Sequence, residues 1–108
     1  MKPRYYPRAI VHAAAVFTVG GRTAEGQVLD LTVPGCLITS PLSPTQGDTV
    51  TLQVSLPQMS APPVRVALGV VRWVQGARFG VEFIQMAQHD RLRYNALVRT
   101  VLHQQAAA

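Results

Sequence analysis

Residues 49–56 read Thr49-Val50-Thr51-Leu52-Gln53-Val54-Ser55-Leu56 and alternate strictly between polar and apolar side chains. A period of two puts every apolar member on one face, which is typical of a strand that is buried on one side. Apolar residues also share one parity in the segments 9–19, 64–74 and 79–84, for example Val11, Phe17 and Val19 in the first. The chain is therefore predicted to be built mainly from β-strands.

The segments between these strands complete the architecture. Gly20-Gly21 is a two-residue hairpin signal, and it predicts a return strand over residues 23–31. The turn at Pro34-Gly35 precedes a short apolar run, which we interpret as a strand over residues 36–39. Apolar residues recur at helical spacing only near the end of the chain, at Tyr94, Leu97, Val98, Val101 and Leu102.

Six short strands followed by one helix predict a mainly all-β fold, a small six-stranded antiparallel β-barrel with a C-terminal α-helix. We expect one domain over residues 1–108, because no linker divides the chain. Its parts are a basic arm over 1–8, the barrel over 9–84 and the helix over 88–104.

Composition restricts the class of protein. The chain has 108 residues, of which 48% are hydrophobic, enough for one core. Its net charge of +5 and pI near 10.4 suit anionic partners. A lone cysteine, Cys36, excludes an internal disulfide and is expected to be a buried small hydrophobe. We expect a cytoplasmic protein without a membrane span.

Catalysis finds little support in the sequence. His12, His89 and His103 are scattered and lack carboxylate or cysteine partners at the spacing of a metal site. The five acidic residues form no paired motif, and no glycine-rich phosphate loop or nucleophile elbow is present. We therefore expect neither an enzyme nor a metal or cofactor.

Two short segments carry the binding chemistry. Arg4-Tyr5-Tyr6-Pro7-Arg8 offers two guanidinium groups, and Asp30-Leu31-Thr32-Val33-Pro34-Gly35 offers a carboxylate, a hydroxyl and a glycine turn. Guanidinium donates two parallel hydrogen bonds to phosphate, or to O6 and N7 of guanine. A carboxylate accepts from the N1 and N2 donors on the other edge of guanine. Together the segments suit a ligand that carries both phosphates and guanine.

This pair of segments resembles the signature of the PilZ domain, a bacterial receptor module for cyclic di-GMP. The family pattern is RxxxR followed by [D/N]xSxxG after the first hairpin, and this chain has Thr32 where serine is usual. The segments 71–73 and 80–83 resemble the family's last two strands. The resemblance implies that cyclic di-GMP is bound by Arg4, Arg8, Asp30, Thr32 and Gly35, with Trp73 as a further, stacking residue.

The same residues also have structural interpretations. Asp30 and Thr32 could form local turn hydrogen bonds at an exposed strand end. Gly35 could supply a positive φ or let a ligand approach the backbone. Trp73 could stack on guanine, or it could be a core or barrel-rim residue. Strict alternation places Arg72 on the opposite face of the strand.

Alternation also places Val64, Val66, Leu68 and Val70 together on one face of the segment 64–74. We expect these four side chains to face the core.

Because the arm is polar and N-terminal, we expect a ligand to order it and an unidentified downstream protein to read the altered surface. The resemblance implies that an arginine just before RxxxR favours a stacked pair of nucleotides, and because this chain has Pro3 there, it implies one nucleotide per site. Two other functions stay open. One is a PilZ-like adaptor that binds protein but no nucleotide. The other is a small basic barrel for RNA or single-stranded DNA, which the near absence of Lys and Arg from the strands disfavours.

Overall fold

A computed structural model describes residues 6–55 and 61–107 of the chain. Six strands precede one helix along these residues. The strands are β1 (Ala9–Val19), β2 (Arg22–Thr32), β3 (Gly35–Thr39), β4 (Thr49–Ser55), β5 (Val64–Gln75) and β6 (Arg78–Gln85), and the helix is α1 (Gln88–Ala107).

The six strands form a closed barrel in the order β1-β2-β3-β6-β5-β4. Every neighbouring pair is antiparallel, and the barrel closes where β1 pairs with β4 from Ala14↔Ser55 to Thr18↔Thr51. The predicted fold class, a six-stranded antiparallel barrel with a C-terminal helix, is therefore confirmed.

The alternation read from the sequence becomes the two faces of the barrel wall. In β1 every second residue from Ala9 to Phe17 is buried, and in β4 the valines and leucine are buried between exposed threonines. Phe17 and Phe79 meet edge to face inside the barrel, with ring centroids 5.3 Å apart. The barrel interior is thus a packed core, and any binding surface has to lie on its outside.

The hairpin between β1 and β2 turns at Gly20 and Gly21, as predicted. Their φ angles are +57° and +77°. A two-residue turn with positive φ at both positions matches the right-handed twist of the flanking strands. Glycine adopts this conformation without the steric penalty that a Cβ would bring.

Strand β5 departs from strict alternation at two β-bulges, one opposite β4 between Val66 and Gly69 and one opposite β6 between Val71 and Trp73. The first bulge changes which residues face the core: Val71 is fully buried, whereas Val70 is only half-buried. Leu68, on the bulge, is likewise only half-buried, so the expectation that Leu68 and Val70 share the inward face of Val64 and Val66 was wrong. An extra residue in one strand reverses the orientation of the side chains that follow it.

Helix α1 runs three residues past its predicted end and packs against the barrel through Tyr94, Leu97 and Val98, which are buried. Asp90 in its first turn is also buried, and its Oδ1 accepts a hydrogen bond from the main-chain N–H of Arg65, 3.1 Å away. That contact fixes the start of the helix to β5. Within residues 6–55 and 61–107, no helix has the length and apolarity that crossing a membrane requires.

Candidate functional site

A cleft of about 610 Å³ lies against the outside of the barrel. Its walls come from the segment before β1, the turn between β2 and β3, and the outward faces of β5 and β6. Fifteen residues line it, including Arg8, Asp30, Thr32, Gly35, Trp73 and Glu82. Ligand sites for small molecules usually measure ~300–1,000 Å³, so the cleft is large enough for a nucleotide.

The structure brings five of the six sequence-predicted residues to this cleft. They are Arg8, Asp30, Thr32, Gly35 and Trp73. The sixth, Arg4, lies outside the described residues. Because β1 pairs with β2 from Ala9↔Leu31 onward, the arm enters the barrel beside the Asp30–Gly35 turn. The hairpin register therefore explains why two motifs 22 residues apart meet.

Asp30 is more enclosed than the sequence indicated, with only 8% of its surface exposed. The sequence allows an exposed strand end here, but the Asp30 side chain is buried, and β2 has one extra residue opposite β3 between Val28 and Asp30. Burial raises the pKa of the Asp30 carboxyl above its ordinary value of 3.8, and the positive charge of Arg8 partly opposes that rise. The Arg8 guanidinium and the Asp30 carboxylate therefore interact electrostatically at the cleft.

The turn that follows Asp30 is held from two directions. The Thr32 hydroxyl donates to the Gly35 carbonyl at 3.2 Å, the local hydrogen bond anticipated for a threonine in a turn. From α1, the hydroxyl of Tyr94 lies 2.7 Å from the carbonyl oxygens of both Thr32 and Gly35. Arg91 donates from Nη1 to the carbonyl of Val33 at 2.9 Å. The helix therefore sets the shape of this cleft wall.

Gly35 has a different structural role from the positive φ suggested by the sequence, because its φ is not positive. A Cβ built on Gly35 would lie 2.0 Å from the carbonyl oxygen of Val81 in β6. Glycine is required here because β3 and β6 approach too closely for any side chain. The same lack of a side chain leaves the turn backbone open to the cleft.

Trp73 lies at the cleft with 42% of its surface exposed, so it is not a core residue. Its register partner across the strands is Gly80. A Cβ on Gly80 would fall 2.2 Å from the indole Nε1, which means that the indole packs directly over the glycine. The indole of Trp73 therefore packs against the backbone at Gly80, and its exposed part is available for stacking.

Arg72 also lines the cleft, contrary to the expectation that it faces away from Trp73. The bulge between Val71 and Trp73 is the reason, since it turns both residues outward. Arg72 Nε and Glu82 Oε1 are 2.5 Å apart, forming a partly exposed ion pair across β5 and β6. Strand alternation could not reveal this cation because a bulge leaves little signal in the sequence.

Two further expectations concern reactive groups. Cys36 is buried, as predicted, and burial raises the pKa of its thiol, so the reactive thiolate is disfavoured. Among the described residues, no group of three His, Cys, Asp or Glu side chains is arranged to hold a metal ion. What the cleft does offer is the three guanidinium groups of Arg8, Arg72 and Arg78, two carboxylates and one exposed indole, a set suited to phosphates and purine bases.

Sequence reasoning missed the residues that support the site from α1. Tyr94 was assigned only to the apolar stripe of the helix, which is where its ring lies, edge to face with Phe83 at 5.0 Å. The useful signal was its hydroxyl, because a buried tyrosine generally needs a hydrogen-bond partner. Which partner it finds depends on how the helix docks, and no local pattern reveals that.

Comparison with known proteins agrees with this fold. The family model described as the PilZ domain matches residues 2–100. The Bacillus subtilis inhibitor of motility MotI/DgrA superposes with a TM-score of 0.77 at 16% identity, covering 99% of this chain but only 53% of that one. The chain thus spans about half the length of MotI.

Two single PilZ domains superpose over most of their own length. The PilZ domain of YcgR from Escherichia coli, solved with c-di-GMP, gives a TM-score of 0.75 at 9% identity, covering 95% of this chain and 94% of that one. The PilZ domain of CeSA from a cellulose-synthesizing bacterium gives 0.68 at 13% identity, covering 90% and 99%. A search of curated proteins found no match. On the family match over residues 2–100 and the barrel that accompanies it, this chain belongs to the PilZ domain family.

Proposed function

We propose that this chain is a receptor for cyclic di-GMP and that the cleft beside Arg8 is the binding site. The observation that carries the proposal is the convergence of Arg8, the Asp30–Gly35 turn and Trp73 on one cleft. These groups come from three separate parts of the sequence and complement one ligand that contains both phosphate and guanine. The YcgR domain, which has the same fold, was solved with this nucleotide.

Each side chain has a distinct part in the proposed complex. The guanidinium of Arg8 donates two hydrogen bonds to a phosphate or to the O6 and N7 edge of guanine. Asp30 in its ionised form accepts from guanine N1 and N2, and Thr32 adds a hydroxyl beside it. Trp73 stacks on a base, an interaction worth roughly 1–3 kcal/mol.

Two residues of the signature remain, Gly35 and Arg4. Gly35 can have no side chain, because a Cβ there would clash with the Val81 carbonyl oxygen of β6. This lack of a side chain leaves the turn backbone open to the ligand. Arg4 is assigned by its place in the RxxxR motif and would supply the second guanidinium. With Pro3 before that motif, one nucleotide per site is the proposed stoichiometry.

Signalling would follow from the position of the arm. Nucleotide bound between Arg8 and the Asp30–Gly35 turn would order the arm against the barrel and change the exposed surface. A downstream protein responds only if it binds the two surfaces with different affinity. Ordering costs entropy, so an affinity near micromolar, about −8 kcal/mol, is expected.

Calorimetric titration of cyclic di-GMP tests the proposal. The variant Arg8→Ala is expected to lose binding because it removes the described guanidinium of the motif. Arg22→Ala is the matched control, since it removes the same charge from the exposed tip of the β1–β2 hairpin, which does not line the cleft. Wild-type binding retained in Arg22→Ala and lost in Arg8→Ala supports the site, and the molar ratio gives the stoichiometry.

Other outcomes would point to the other functions. No heat and no thermal shift at high micromolar nucleotide would refute the receptor and favour a protein-binding adaptor. Equal loss in both arginine variants would indicate nonspecific attraction to a basic protein. Oligonucleotide affinity that falls steeply with salt would instead support binding to RNA or single-stranded DNA.

A further inference from the structure

The side chain of Gln105, in the last turns of α1, binds the backbone on both sides of Ala9. Gln105 Nε2 donates to the carbonyl oxygen of Arg8 at 3.1 Å, and the N–H of Ile10 donates to Gln105 Oε1. The carbonyl before a strand residue and the N–H after it point to the same edge of the strand. One primary amide therefore pairs with β1 in the way that a neighbouring strand would.

This contact acts on the part of the chain that carries the arginine of the cleft. Ala9 is fully buried and anchors the start of β1, while the backbone of Arg8 next to it is held by Gln105. Two hydrogen bonds from one rigid amide fix both the position and the direction of the strand end. The Arg8 side chain that leaves this strand end is thereby directed to the cleft beside Asp30.

We propose that Gln105 is a positioning residue for the nucleotide site: it holds Arg8 in the geometry that binds cyclic di-GMP and couples occupancy of the cleft to the end of α1. The inference rests on the function proposed above and adds a regulatory connection to it. Without the amide, the arm adopts the binding geometry for only a fraction of the time, and the apparent affinity falls by that fraction. Linkage then requires the bound nucleotide to stabilise the same contact.

Calorimetry with a matched pair of variants tests the effect on affinity. Gln105→Ala is expected to weaken cyclic di-GMP binding about fivefold at unchanged stoichiometry, which is the size expected for exposed hydrogen bonds. Gln104→Ala removes an identical side chain one residue earlier in the same exposed turn and should bind like the wild type. We expect both variants to have the same melting temperature. A weaker affinity of Gln105→Ala alone would then reflect loss of positioning and not a general loss of stability.

Hydrogen exchange tests the coupling directly. Nucleotide should slow exchange of the Ile10 amide and of the last turn of α1 in the wild type and in Gln104→Ala, and this slowing should disappear in Gln105→Ala. Equal affinity of Gln105→Ala and the wild type, with nucleotide protection of α1 unchanged, would overturn the inference while leaving the receptor intact. Failure of the wild type to bind would remove the proposed function and this inference together.

Discussion

Tyr94 places its buried hydroxyl 2.7 Å from the main-chain oxygen of Thr32, although 62 residues separate the two in the chain. The same hydroxyl lies 2.7 Å from the Gly35 oxygen. Burial raises the pKa of this phenol, so it stays protonated and can only donate to these carbonyls. The wall of the cleft formed by residues 32–35 is therefore shaped by the helix as well as by its own turn.

Tyr94→Phe is expected to lower the free energy of unfolding by about 1–3 kcal/mol, because the Thr32 and Gly35 carbonyls lose the hydroxyl of Tyr94 and only Gly35 keeps another side-chain donor, the Thr32 hydroxyl. Chemical denaturation measures this loss. Ser43→Ala is the control, since it also removes a hydroxyl that donates to a carbonyl, that of Gly76, but at an exposed position. Its effect should stay within about 0.5 kcal/mol. Equal stability of the two variants would contradict a structural role for the Tyr94 hydroxyl.

Asp30→Asn is expected to raise the melting temperature at neutral pH while abolishing nucleotide binding. Because the folded-state pKa is raised, the protonated carboxyl stabilises the fold below its ordinary value of 3.8. That stability is lost as pH rises through the raised folded value, where the buried carboxylate becomes charged. A neutral amide avoids this cost.

Melting curves from pH 3 to pH 7 test the predicted direction of the stability change caused by Asp30→Asn. The gain from Asp30→Asn should be greatest at neutral pH and shrink towards pH 3.8. A variant that melts below the wild type at pH 7 would show that the contacts of the carboxylate outweigh its desolvation.

Gly80→Ala is expected to displace the indole of Trp73, since the new Cβ would fall 2.2 Å from Nε1. Trp73 is the only tryptophan, so its fluorescence emission reports the displacement. Nucleotide affinity should fall by about tenfold, within the range for a lost base stack. Once Trp73→Ala is present, Gly80→Ala should have no further effect on affinity. If the losses of affinity caused by Gly80→Ala and Trp73→Ala were additive, Gly80 would not act through the stacking of Trp73.

Arg72→Ala is expected to weaken nucleotide binding without lowering stability. An exposed ion pair such as Arg72–Glu82 contributes about 0–1 kcal/mol to folding, whereas its loss leaves a carboxylate alone beside the anionic ligand. Arg99→Ala removes an equal charge from the exposed side of α1 and serves as the control. Calorimetry at low and high salt should show a loss in Arg72→Ala that salt diminishes. Identical affinities in the two variants would exclude Arg72 from the site.

Most of the barrel could be predicted from residue periodicity, because one buried face per strand imposes a period of two. Alternation in β1 and β4 identified both strands, and Gly20-Gly21 identified the turn whose positive φ angles the structure shows. Prediction failed within β5, where one bulge opposite β4 shifted Leu68 and Val70 from the inward face and a second opposite β6 turned Arg72 to the cleft. A bulge is one extra residue, and it needs no special residue type to form.

In the candidate site, the residues of the two motifs and Trp73 could be predicted from the sequence. Asp30, Thr32 and Gly35 lie on one turn, so their proximity follows from the sequence. Contacts from the helix, such as those of Tyr94 and Gln105, span 59 to 97 residues and depend on how α1 docks on the barrel. Only the folded structure reveals contacts of this kind.

The hydrogen bonds between Gln105 and the backbone around Arg8 also bring the two ends of the described chain together. A polypeptide that enters at residue 8 and leaves after residue 105 begins and ends its path at one place on the surface. Such a unit can be inserted into a loop of a host protein with little separation between the junctions. In an enzyme that carries this domain as an insert, a nucleotide-dependent change in the arm would displace the loop that holds the insert. The barrel could therefore serve as the sensor domain of an engineered biosensor.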